Sequence, residues 1–121
     1  MNDREMLELA AKAAWITGKY GHAPDDYYYK GNTEGILTTL PDGQMYVWNP
    51  LVDDGDALRL AVKLRMVVDT DYNGGAVAGN AAVDFGEPEY GYQEGQGKPD
   101  PYAATRRAVV RAAAEIGKGM K

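Results

Sequence analysis

Two turn signals fix what this chain can become. Pro41-Asp42-Gly43 sits between GILTTL and QMYVW, and Asn73-Gly74-Gly75 sits between LRMVVDTDY and AVAGNAAVDF. Each joins two short apolar stretches through residues that accept the backbone angles of a tight hairpin. Hairpins make antiparallel pairs, so an all-parallel sheet is excluded.

Three stretches of helical period lie around these hairpins, and each opens on a capping residue. Asn2 with Glu5 reads as a capping box, followed by Met6, Leu9, Ala10, Ala13 and Ile16 at helical spacing, with Gly18 as the stop. Glu8 and Lys12 fall at i,i+4 on the outer side. Trp15, on the same outer side, reads either as a contact residue or, the favoured reading, as folding over the helix end onto the body. Asp100-Pro101 opens the last helix, with Gly117 as its stop. Helices are predicted at about 3 to 17, 54 to 65 and 101 to 116. Residues 20 to 35 show no helical period, and residues 86 to 99 read as a strand or loop punctuated by Gly and Pro. The expected fold is α+β: a single-domain α/β/α sandwich, three helices packed on a central antiparallel sheet.

The middle helix carries an ambiguity, because WNPLVDDGDALRLAVKL holds three aspartates in four positions. A calcium loop needs alternating oxygen ligands and a closing glutamate at its twelfth place. Asp53 and Asp54 are adjacent, and the twelfth place is Leu64. Asp53 is therefore read as a helix cap, and ALRLAVKL as a helix burying most of its circumference.

What the chain lacks limits its chemistry. It has no Cys, no Ser and one His. Ser-His and Cys-His nucleophilic catalysis have no nucleophile here, and Cys/His zinc sites have no ligands. Asp69 and Asp71 share a strand face and, with Asp84 or Glu87, form the remaining carboxylate candidate for magnesium; a solvated sheet face explains them equally. His22 reads as a loop residue. NGGAVAGN lacks the helix start and Lys that a phosphate cradle needs. No metal and no cofactor is expected, and the chain reads as a non-enzyme. MNDREMLEL has charges where a secretion signal has an apolar run, and no window is long enough to span a membrane, so a cytoplasmic protein is expected.

Net charge is −5, unevenly spread: residues 100 to 121 carry five Lys/Arg against two Asp/Glu, and residues 1 to 99 carry eight against sixteen. An acidic body argues against direct nucleic-acid binding. Arg106, Arg107 and Arg111 on the last helix either clamp an anion or pair with that acidic body. Nine tyrosines stand against one Phe and two Trp, and Tyr27, Tyr28, Tyr29, Tyr90 and Tyr92 fall in Gly-, Pro- and Asp-rich segments. Such mixtures build protein-binding loops, although tyrosines packed on a sheet give the same pattern.

WNPLVDDGDALRLAVKL and DPYAATRRAVVRAAAEIG, with MNDREMLELAAKAA at the front, resemble the phage ABA sandwich domain family, across roughly half the chain. Residues 20 to 40 and 72 to 99 depart from it, and Trp15 stands where the pattern leads one to expect glycine. The resemblance implies a sheet sandwiched between helices and a phage or prophage accessory protein, with no catalytic residue to carry over. A small acidic phage accessory protein without chemistry is expected to work by occupying a target. That makes counter-defence in the host cytoplasm the expected role, by blocking a host defence protein complex or, alternatively, by sequestering a nucleotide immune signal. A structural or morphogenetic factor is the third reading, and a homo-oligomer stays open. For a protein target the expected contacts are Tyr27, Tyr28, Tyr29, Tyr90 and Tyr92. For a nucleotide they are Trp48, Asn49, Tyr102, Arg106 and Arg107, near helix N-termini.

Overall fold

The computed structural model describes residues 1–24, 33–90 and 100–120. The element order is α1 (Asp3–Ala13), β1 (Lys19–His22), β2 (Glu34–Thr39), β3 (Met45–Trp48), α2 (Asp54–Lys63), β4 (Val67–Tyr72), β5 (Gly75–Gly79) and α3 (Pro101–Lys118). The fold is α+β, and the described residues form three helices and strands that all pair antiparallel. The strands form two sheets, β1-β2-β3 and β4-β5, where the sequence suggested one central sheet. Residues 19–22, where no strand was expected and His22 was read as a loop residue, form the first strand, paired from Lys19↔Leu37 to His22↔Glu34.

Both hairpin turns fall where the sequence put them. Leu40 and Gln44 close the first, with Gly43 at φ 89°. The second is a two-residue loop: Tyr72 pairs with Gly75, and Asn73 and Gly74 have φ of 52° and 83°. Positive φ at both central residues is what an Asn-Gly hairpin supplies.

Each helix start is capped by the side chain expected. Asn2 accepts from the Glu5 N–H, Asp53 from that of Asp56, and Asp100 from those of Tyr102 and Ala103. The helix ends differ from expectation. α1 stops at Ala13, four residues before the predicted end, because Trp15 takes φ 60° and the Ile16 N–H turns back to the Ala11 carbonyl. α2 closes the same way, with Arg65 at φ 54° and the Met66 N–H on Ala61. Both closures are αL caps of a kind usually made with glycine, which accounts for the glycine expected at position 15. Trp15 does not fold onto the body; it is 78% exposed. Gly18 serves the sheet instead of ending α1: a Cβ there would lie 2.3 Å from the Leu37 carbonyl oxygen.

The helices pack mainly on one another, not each on a sheet. α3 lies along α1, α2 and β5, with α1 parallel to it: Asp3 pairs with Arg107, and Lys12 donates to the Met120 carbonyl. Glu8, expected to pair with Lys12, takes Arg4 at 3.3 Å. The α1–α3 seam centres on Gly117 against Leu9, with the small residues Ala10, Ala11 and Ala113 in the same buried cluster. Gly117 does not stop the helix, which continues to Lys118; a Cβ at Gly117 would sit 2.0 Å from the Leu9 carbonyl oxygen. Its role is contact between backbones.

Candidate functional site

α2 stands as a ridge between two clefts. Its buried stripe is Ala57, Leu60 and Ala61, at helical spacing, plus Asp56. Leu58 and Val62, also i,i+4, are 66% and 69% exposed. The helix therefore buries one narrow stripe, not most of its circumference. Short alanines on that stripe bring it down on α3 but leave the flanks open.

A polar contact fixes the ridge. Asp56 is fully buried and accepts from the Tyr46 hydroxyl, the Asn49 N–H at 3.0 Å and Arg59 Nη2 at 2.8 Å. A buried carboxylate with this many donors is satisfied, and no metal is needed to explain it. The hydrogen bond to Asp56 raises the Arg59 pKa, against burial, which lowers it. Asn49 ties the preceding turn: its amide donates to the Glu34 carbonyl and its Oδ1 accepts the Leu51 N–H. The sequence shows Asp56 only as one more acid in a cap. Its spacing from Tyr46 and Asn49 becomes meaningful once β3 is placed beside α2.

The first cleft, about 650 Å³, lies between α2 and α3 with β4 along one side. Ala57, Leu58 and Ala61 form one wall; Tyr102, Thr105 and Val109 form the other; Val68 and Thr70 face it from β4. Tyr102 stands at the rim, 68% exposed. Arg106 lines this cleft but is already engaged, donating to the Leu51 carbonyl at 2.9 Å and to Asp54 at 2.6 Å. Its charge is thus largely neutralised inside the wall. The cleft is apolar in character.

The second cleft, about 490 Å³, lies on the far side of α2. Tyr46 and Trp48 supply its aromatic surface, Thr38 and Thr39 its hydroxyls, and Arg59 and Lys63 its cations. Trp48 is buried, so little of its indole is open to solvent in the cleft.

The residues proposed for a nucleotide are therefore not gathered into one surface. Tyr102 and Arg106 face the first cleft, Trp48 the second, and Asn49 is held in the turn. Arg107 pairs with Asp3 at 3.1 Å on the α1 side, and Arg111 pairs with Glu89 at 2.7 Å. Of the residues proposed for a protein target, Tyr27, Tyr28, Tyr29 and Tyr92 lie outside the described residues. Tyr90 is partly exposed, next to Glu89, which forms a bridge with Ala76. His22 ends β1, with its Nδ1 2.9 Å from the Ala23 carbonyl oxygen. Asp69 and Asp71 are exposed on β4, and among the described residues no group of three or more His, Asp or Glu side chains converges as a metal site. No described helix is long and apolar enough to cross a membrane. Leu58 and Thr70, which line the first cleft, were not singled out by sequence reasoning; the apolar i,i+4 pair Leu58 and Val62 beside a second apolar stripe was the available signal for the open flank.

No family model, curated relative or solved structure matches the chain.

Proposed function

We propose that this protein is a non-catalytic phage accessory protein that acts in counter-defence, in the host cytoplasm, by binding and blocking a host defence protein complex. The observation that carries the reading is the open apolar cleft between α2 and α3, with Leu58 and Tyr102 each about two-thirds exposed in its walls. Exposed apolar side chains grouped at a cleft mark protein contact more often than scattered ones do. An aromatic anchor at the rim is the usual centre of such contact energy. The resemblance of the two long motifs to phage ABA sandwich proteins supports the phage setting. The tyrosine-rich segments at 23 to 33 and 87 to 98 would add to the contact surface.

The test is infection of hosts carrying different immune systems by phage with and without the gene. In a sensitive host the gene restores plaque formation, and Tyr102→Ala with Leu58→Asp removes that effect while the protein stays folded. Equal plating in every host would sink the counter-defence reading.

A second reading, sequestration of a nucleotide signal, draws on the other cleft, where Tyr46 and Trp48 meet Arg59 and Lys63. It is weaker because Arg59 is committed to Asp56 and Tyr46. Under it, Lys63→Ala abolishes nucleotide retention and the Tyr102/Leu58 variant keeps full activity.

A further inference from the structure

Among the described residues, β4 pairs with β5 alone, and all its residues except Val68 are exposed. A strand edge without a neighbour presents a row of N–H and C=O groups ready to pair with another extended chain. This edge differs from a bare one in two respects. Val68 and Thr70 face the apolar cleft, so a chain laid along β4 would send alternate side chains between Leu58 and Tyr102. Asp69 and Asp71 lie at the intervening positions, both exposed, with Asp69 accepting the Asp71 N–H at 3.0 Å.

We propose that β4 takes up an extended segment of the partner protein as an added strand, and that this segment alternates apolar residues with Lys or Arg. The apolar residues enter the cleft; the cations lie across from Asp69 and Asp71. Strand addition of this kind draws affinity from main-chain hydrogen bonds and specificity from alternate side chains. The same two carboxylates argue against a second copy of this chain, because two such edges side by side would set acid against acid. A helix seated in the cleft would leave the β4 edge unpaired, whereas a strand satisfies both features. The register shift between Asp69 and Tyr72 bends that end of the strand, so main-chain pairing is expected from Val67 to Thr70, with Asp71 just beyond it and only its side chain in reach of the segment's last cation. The proposal rests on the blocking reading only in taking the occupant to be a protein.

The experiment uses the full chain and labelled synthetic peptides of about eight residues, near the usual length of a strand. One alternates Val with Lys, one alternates Val with Glu, and one is the Val/Lys peptide N-methylated on alternate residues. Fluorescence anisotropy is expected to show binding of the Val/Lys peptide alone. The combined Asp69→Asn and Asp71→Asn variant, changed only at exposed side chains, is expected to bind about fivefold or more weakly. Amide NMR shifts on binding are expected at Val67 to Thr70. Equal binding of the Val/Glu or N-methylated peptide, unchanged affinity in the double variant, shifts confined elsewhere, or no binding at all would each overturn strand addition. The infection assay separates this from the blocking reading. A double variant that loses the peptide yet still protects phage removes strand addition as the route and leaves blocking intact. Peptide binding by a protein that protects phage in no host leaves the edge assignment standing and removes blocking.

Discussion

α3 meets α1 and α2 in opposite ways. Toward α1 the backbones approach until Gly117 reaches the Leu9 carbonyl, with Ala10, Ala11 and Ala113 in the same buried cluster. Toward α2 it presents Tyr102, Thr105 and Val109 across a cleft of about 650 Å³. Small residues occur on both sides: Ala57 and Ala61 on α2 are as short as the alanines of α1. The difference lies in what surrounds them. In the seam, small residues face small residues and the helices close; in the cleft they face longer side chains held apart by Arg106 on Asp54 and by the Asp56 anchor. The seam gives stability, and the cleft gives up contact area and remains accessible.

The sharpest way to break the comparison is at Gly117. Gly→Ala in a helix ordinarily stabilises by about 1 kcal/mol. Here the new methyl would meet the Leu9 backbone at 2.0 Å, so Gly117→Ala is expected to destabilise by about 3 kcal/mol, read as a lower denaturant midpoint. A neutral result would mean that the seam is loose. Next is a matched pair. Leu7, fully buried, should cost about 3 kcal/mol on truncation to alanine, whereas Leu58→Ala should change stability by less than about 0.5 kcal/mol. Comparable losses at both positions would show that α2 is packed as tightly as α1.

Much of the seam's chemistry was legible in the sequence, but its meaning was not. The alanines and Gly117 read as ordinary helix residues and a helix stop, because spacing reports which face is apolar and not which neighbour lies against it. Caps and turns at Asn2, Asp53, Asp100, Pro41-Asp42-Gly43 and Asn73-Gly74 were readable because they depend on local backbone groups alone. The pairing of Asp56 with Tyr46 depends on where β3 lies relative to α2, and no local rule contains that. The split of the candidate nucleotide set between two clefts has the same origin: helix N-termini were identifiable in the sequence, their relative positions were not.

The anchor provides a smaller test. Asp56→Ala leaves the Tyr46 hydroxyl and the Asn49 N–H without their acceptor, and is expected to cost about 2 kcal/mol. Hydrogen exchange should rise in α2 first and leave α1 protected; uniform loss would show that ridge and seam form one unit. The smallest expected effect is a gain. Trp15→Gly and Arg65→Gly each remove a side chain from the left-handed region, and each should stabilise by about 0.5 kcal/mol in thermal melts. A gain at one end only would mean that the ends of the two helices differ as well as their faces.

The parallel pairing of α1 with α3 also has a consequence in time. Arg107 reaches Asp3 across 104 positions, and Lys12 reaches Met120 across 108. Contacts so distant in sequence carry a large loop-closure entropy and slow folding. During translation α1 emerges with its alanine face exposed and must wait for all five strands and α2 to be made before its partner α3 exists. Over that interval the nascent chain depends on chaperones or on its own acidic charge to stay dispersed.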